Sequence, residues 1–272
     1  MAGPIAQFKK RSELFEQVTA ACRWILKTDP IAANARDYLN NRVSIDEQEK
    51  YELGYFPTDD KLDFLTSIVD KSILEELTLV YPRHISGGTK MRGHFNHHNL
   101  VMPFKNVHGN TISLLGRTLF SSEEQKERCL QKYKYTLGAN KDLYVFGLDR
   151  AKQAIIEKNC VICVEGQFDC IACHAAGINN VVAFGWANCT RYQFFQLRRY
   201  TNNLVLLLDN DDAGIKARTK LKERYNSYAS IRLMMPPNGF KDIDEFLSEG
   251  KDQIRKERTI NNLKNLRFVL GE

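Results

Sequence analysis

The sequence predicts an α/β protein: a parallel sheet flanked by helices, preceded by an α+β basic subdomain and followed by a short helical tail. Three observations predict this. In the carboxyl-terminal half, short continuous apolar runs alternate with amphipathic stretches, the pattern of strands buried on both faces of a helix-covered sheet. Over roughly the first 80 residues the apolar positions recur at helical spacing. Between these regions, from about Arg92, the pattern turns to strands with hairpin chemistry. The shifts divide the chain into residues 1–157, 158–250 and 251–272.

In chain order, Phe8, Leu14, Phe15, Val18, Cys22, Ile25 and Leu26 form one apolar helical stripe that Pro30 stops. Ser44 with Glu47, and Ser72 with Glu75, have the spacing of a capping box, in which a hydroxyl takes an orphan amide and the glutamate returns the bond. Both serines are therefore expected to open helices. LVMPF (100–104) and TISLLG (111–116) flank His108-Gly109-Asn110, a hairpin connection that tolerates positive φ. Shorter strands are expected near 129–137 and 143–147, making an antiparallel sheet. CVICV (160–164), NVVAF (180–184), NLVLLL (203–208) and SIRLMM (230–235) then read as parallel strands. Helices are expected over 169–176, over 191–200 and from Gly214. From Lys251 the tail reads as polar helix.

Composition narrows the function. Thirty-nine Lys and Arg against 33 Asp and Glu give a net charge of +6, a modest excess that suits a nucleic-acid partner. Seven cysteines, an odd number, with no secretory leader in MAGPIAQFKKRSE, point to reduced thiols rather than a disulfide framework. No stretch approaches the roughly 18 uninterrupted apolar residues of a membrane span. A soluble, cytoplasmic protein without membrane contact is expected.

The carboxylates carry the chemistry. In open parallel sheets the working residues sit where strands end and helices begin. The strand at 160–164 delivers Glu165, then Gly166, with Asp169 one helical turn on. The strand at 203–208 delivers Asp209, with Asp211 two residues later. The fourth strand leads through Pro236-Pro237-Asn238-Gly239 to Asp242 and Asp244. If these strands are neighbours, the carboxylates face one crevice, and like charges so close persist only when something neutralises them. A hard divalent cation with oxygen ligands does so, and two such ions serve phosphoryl transfer. Asp212, closest to the next helix, is expected to cap it, and Asp169 has a capping or supporting role as its alternative.

These residues resemble a known family. Glu165-Gly166-Gln167-Phe168-Asp169 and Asp209-Asn210-Asp211-Asp212-Ala213-Gly214, some forty positions apart, resemble the E-G-x-x-D and D-x-D-x-A-G signatures of the TOPRIM fold in DnaG-type bacterial primases. Upstream, LLGR (114–117), YKY (133–135) and NKDLYVFGL (140–148) are similar to the basic segments of that family's RNA polymerase domain, as ARDYLNNR and LGYFP are to its amino-terminal part. The resemblance spans residues 10–250. It implies a primase core that makes short RNA primers on a single-stranded DNA template from nucleoside triphosphates. Glu165, Asp209 and Asp211 would be catalytic, and these three with Asp242 and Asp244 would bind two or more Mg2+ or Mn2+. Asp169 would bind metal or give structural support. Arg117, Lys134 and Lys141 would hold nucleotide or nucleic acid. A replicative helicase and a separate zinc-ribbon protein are implied partners, in a bacterial or phage-infected cell.

Departures from the family pattern bear on these expectations. Cys22 is the only cysteine before residue 90, so neither a zinc ribbon within these residues nor a structural zinc is expected. Cys160 with Cys163, and Cys170 with Cys173, read as packed core thiols, because their strand and helix placement does not converge on an ion. His94, His97 and His98 read as surface or nucleic-acid contacts. Trp186 stands where the family generally has a small residue; packing is its expected role and base stacking the alternative. Two other functions are weighed against the primase: a TOPRIM nuclease, disfavoured by the upstream basic block, and a non-catalytic nucleic-acid adaptor, disfavoured by the intact carboxylates. A topoisomerase would need a separate domain for its catalytic tyrosine.

Overall fold

In a computed structural model, which describes residues 3–86, 88–186, 188–249 and 252–266, the chain divides into two units. Residues 1–105 and 110–139 form the first; residues 106–109 and 140–272 form the second.

The first unit is built on α1 (Pro4–Thr28), whose Leu14, Phe15, Val18, Cys22 and Ile25 are buried in one core, as the apolar stripe predicts. The helix stops at Asp29, which turns extended and accepts the amide of Ile31 just past Pro30. Helices α2 (Ala33–Asn40) and α3 (Ile45–Lys50) follow, and Ser44 caps α3 by accepting the Glu47 amide at 3.4 Å. Strand β1 (Gly54–Tyr55) precedes α4 (Leu62–Ile68) and α5 (Lys71–Glu76). Here the second expected cap is corrected. Asp70 opens α5 and accepts the amide of Ser72 at 2.8 Å, so Ser72 lies inside the helix and Glu75 pairs with Lys71 instead. An aspartate standing one residue ahead of the helix takes the capping position first.

A hairpin of β2 (Val80–Ile85) and β3 (Gly88–Gly93) was not expected from the sequence. Its residues are mostly exposed, so no buried face imprints an alternating pattern on them. The expected antiparallel sheet is present, in the order β1, β4 (Leu100–Lys105), β5 (Thr111–Arg117), β6 (Tyr133–Tyr135). Between β5 and β6 lies α6 (Ser122–Glu127), opened by a full capping box of Ser121 and Glu124.

The second unit carries the parallel sheet. Helix α7 (Leu148–Lys158) leads into β7 (Val161–Val164), α8 (Gln167–Ala175), β8 (Val181–Ala183), α9 (Arg191–Leu197) and β9 (Asn203–Leu207). Then come α10 (Asp212–Tyr225), β10 (Ser230–Met234), α11 (Ile243–Glu249) and α12 (Gln253–Lys264). The strand order is β10-β9-β7-β8, with every pair parallel. Val161, Cys163, Leu204 and Leu206 pack on one side with Ile155 of α7, Phe194 of α9 and Tyr225 of α10, whose rings stack at 3.8 Å. The strand expected at 143–147 is reduced to a 3-10 turn (Lys141–Leu143) and one bridge, Phe146 to Ala183, because the Gln193 side chain takes the Tyr144 carbonyl. The helical tail is present as α12; residues 250–251 and 267–272 lie outside the described residues. Among the described residues no helix is long and apolar enough to cross a membrane.

Candidate active site

Strands β7 and β9 are neighbours in the sheet although β8 lies between them in sequence, and β8 flanks β7 on the far side. The connections after β7 and β9 therefore leave in opposite directions and open a crevice at the carboxyl ends of these two strands. Glu165 follows β7 and Asp209 follows β9 at this point. The amide of Asp209 donates to Oε1 of Glu165 at 3.1 Å, joining the two strand exits.

Helix α10 starts immediately beyond. Asp211 is its cap and accepts the Gly214 amide at 2.9 Å. The capping role expected of Asp212 thus falls to its neighbour, which has the extended backbone a cap requires. Gly214 is a steric necessity: a Cβ there would collide with the Asp209 carbonyl and stand 2.9 Å from Glu165 Oε1. The glycine lets the helix start press against the strand end.

Two residues that sequence reasoning did not single out complete the cluster. Lys241 places Nζ 3.3 Å from Asp209 Oδ2 and 3.8 Å from Asp211 Oδ2, held there in part by the Asn210 amide donating to its carbonyl. Arg218, only 4% exposed, donates through Nη1 to the carbonyls of Leu208 and Met234, at the ends of β9 and β10. Its sequence signal was a charged residue within the stripe Gly214, Ala217, Leu221, Tyr225 that α10 buries. Lys241 had only its adjacency to Asp242 as a signal.

Asp169 is 7% exposed and works as a clamp. Its Oδ2 accepts the Gly166 amide at 2.9 Å, and its Oδ1 accepts the Asp244 amide at 3.2 Å, tying the start of α8 to that of α11. Asp242 accepts the Glu245 amide at 2.7 Å, in the manner of a helix cap, and Asp244 is buried in the first turn of α11.

The electrostatics follow from this crowding. Burial, then the Asp209 charge, pushes the Glu165 carboxyl up to about 7. Burial raises Asp209 too, with Lys241 acting against it, and holds Asp169 well above the carboxylate range together with Asp242, Asp209 and Asp244. Among the described residues no three His, Cys, Asp or Glu side chains close on a single point as a ready-made metal cage. The donors are nevertheless all carboxylate oxygens, and the Lys241 ammonium sits between Asp209 and Asp211 as a stand-in positive charge. Such a set fits a hard divalent cation that keeps several waters.

The expected basic residues are distributed over both units. In the first, the register pairs Arg117 with Tyr133 and Gly116 with Lys134, so Arg117 and Lys134 leave the sheet on opposite faces. The Arg117 guanidinium lies 4.6 Å from the Tyr38 ring centroid, and Lys134 donates to the His94 carbonyl at 2.8 Å. In the second, Lys141 Nζ lies 4.5 Å over the Trp186 ring. The surface role expected of the histidines is corrected for two of them. His94 and His98 are buried, their Nε2 atoms bonded to the Tyr135 and Gln131 carbonyls, while His97 is half-buried. Cys160, Cys163, Cys170 and Cys173 are all buried thiols outside any disulfide, as expected.

Residues 24–152 match a family model described as the DNA primase catalytic core, N-terminal domain, and residues 162–247 match a Toprim-like one. The chain belongs to the DnaG-type primase catalytic cores. It is 32% identical to the DNA primase of Synechococcus elongatus over 257 residues, 89% of this chain and 36% of that protein. It superposes on the zinc-binding and RNA polymerase domains of the Aquifex aeolicus primase with a TM-score of 0.75 at 26% identity, covering 94% of this chain and 60% of that one. A DnaG primase catalytic domain bound to single-stranded DNA shares the fold with a TM-score of 0.72 at 24% identity, covering 95% of this chain and 82% of that one. This primase-family core thus spans about a third of the length of the curated relative. The Toprim-like match takes in Glu165, Asp169, Asp209, Asp211, Asp242 and Asp244 together.

Proposed function

We propose that this chain is the polymerising core of a primase, joining nucleoside triphosphates into short RNA primers on single-stranded DNA. The observation that carries the reading is the convergence of Glu165, Asp209 and Asp211 at the switch point of the sheet, with a lysine ammonium lodged among them. Relatives named DNA primase, and the single-stranded DNA bound by one related core, support it.

In this reading the 3′-hydroxyl of one nucleotide attacks the α-phosphate of the next, and pyrophosphate leaves. Glu165, with its carboxyl pushed up to about 7, is matched to accept a proton from the attacking hydroxyl near neutral pH. Asp209 and Asp211, with Asp242 and Asp244 behind them, are the residues that would hold magnesium or manganese. A bound divalent ion supplies charge neutralisation on the transferring phosphate. Asp169 positions this edge by clamping α11 to α8. Arg117, Lys134 and Lys141 hold triphosphate or strand phosphates. The division of labour is a basic subdomain over residues 1–157, the acidic subdomain over 158–250 and the tail over 251–272. A replicative helicase and a separate zinc-ribbon protein are the proposed partners, in the cytoplasm of a bacterial or phage-infected cell.

The test is incorporation of labelled ribonucleotides on single-stranded DNA with magnesium and with manganese, wild type beside Asp209→Ala. Primers made by wild type alone support the reading. No product under either ion, with helicase and zinc-ribbon candidates added, sinks it, and metal-dependent loss of labelled DNA without nucleotides would favour the nuclease.

A further inference from the structure

Beside the acidic cluster stands an aromatic residue that the proposed chemistry does not use. Beyond β8 the chain runs along the edge of the crevice, the Phe184 amide donating to the Val164 carbonyl at 3.1 Å and the Gly185 amide to the Glu165 carbonyl at 2.8 Å. Trp186 is the next residue. Gly185, at φ +86°, makes a turn there that a side chain would resist.

The packing role expected of Trp186 is corrected: the residue is 42% exposed. A lone exposed ring is ordinary by itself, but this one is held in place. Lys141 covers it with Nζ 4.5 Å from the ring centroid. The segment carrying Lys141 is pinned in turn to the segment following Trp186: Thr190 Oγ1 donates to the Asp142 carbonyl at 2.6 Å, and Gln193 Nε2 to the Tyr144 carbonyl at 2.9 Å. An indole covered by a cation yet 42% exposed, one residue from the backbone partner of Glu165, has the makings of a stacking platform.

We propose that Trp186 is the nucleobase platform of this site: the base of a bound nucleoside triphosphate stacks on the part of the indole that Lys141 leaves open. This rests on the nucleotide-binding reading above and adds the base subsite to it. Because every base has a π face, the platform raises affinity for all four nucleotides rather than selecting one.

The chain has two tryptophans, so Trp24→Phe leaves Trp186 as the only indole reporter. This reporter protein is titrated with magnesium ATP and with magnesium tripolyphosphate, which presents phosphates without a base, and binding is measured in parallel by calorimetry. The expected result is saturable quenching by ATP and none by tripolyphosphate. Trp186→Ala is expected to weaken ATP by roughly fivefold to a hundredfold, Trp186→Phe by much less, and neither to change tripolyphosphate binding. If calorimetry shows ATP binding that Trp186→Ala leaves unchanged, with no quenching in the reporter protein, the platform is overturned and the nucleotide site stands. If ATP does not bind at all, both fall.

Discussion

The Asp209 amide donates to Glu165 Oε1 across 3.1 Å, and Gly214 closes over that bond so tightly that no side chain fits. Gly214→Ala therefore forces the start of α10 away from the strand end. It is expected to cost about 1–3 kcal/mol of stability, as overpacking does, and to abolish nucleotide incorporation even where the protein stays folded. Urea denaturation and the primer assay measure the two effects separately.

Glu165 gives a pH dependence whose sign is fixed. Its carboxyl is raised from an ordinary value near 4.5 to about 7, chiefly by burial. In that window the folded protein binds the extra proton, so the contribution of this residue to stability falls as pH rises from about 4.5 to 7 and stays low above it. Glu165→Gln keeps an oxygen for the Asp209 amide and removes the charge. The metal-free variant is expected to melt a few degrees higher than wild type at pH 8 and at the same temperature near pH 4.5, while losing catalysis by about 10²-fold or more. Equal melting shifts at both values would contradict this.

Arg218 is a buried guanidinium whose partners are main-chain carbonyls at the ends of β9 and β10. Arg218→Met strips both carbonyls of a donor beside the carboxylate cluster, with an expected loss of about 1–3 kcal/mol for each carbonyl left unsatisfied. Arg218→Lys is expected to recover only part, since an ammonium is more strongly hydrated, and so costlier to bury, than the guanidinium whose Nη1 bonds both carbonyls. Chemical denaturation of the three proteins measures the series.

Cysteine chemistry offers a separate check on the cores. Six of the seven thiols are buried and only Cys129 is exposed. Burial pushes Cys22, Cys163, Cys173 and Cys189 far up and Cys160 to about 12. A thiol-specific disulfide reagent is expected to modify one cysteine quickly in native protein and seven after denaturation.

What was legible in the sequence follows from what periodicity and motif record. The apolar runs at 160–164 and 203–208 are buried strands, and each ends where its carboxylates begin, so strand exits alone point to Glu165 and Asp209; the run at 230–235 is instead the edge strand β10, buried only at Ile231, with Leu233 and Met235 exposed and Asp242 a loop away. The hairpin Val80–Ile85 with Gly88–Gly93 left no imprint because its surface is solvated on most positions. Adjacent acids near helix starts also hid their roles. Asp211 rather than Asp212 caps α10, and Asp70 rather than Ser72 caps α5, since backbone geometry chooses between neighbours that composition treats alike. Lys241 and Arg218 were missed because their importance lies in long-range contacts. Arg218 reaches carbonyls ten and sixteen residues away, and no local pattern announces that.

In the proposed site Asp209 and Asp211 seat a divalent cation beside Glu165, at the point where the Lys241 ammonium now lies between the two aspartates. Titration with Mn2+, followed by loss of the free-ion paramagnetic signal, tests it directly at pH 8. Saturable binding is expected for wild type, several-fold tighter binding for Lys241→Ala, and loss of that binding for Asp209→Ala in a protein with an unchanged circular dichroism spectrum. Undiminished binding by the folded Asp209→Ala protein would contradict the claim.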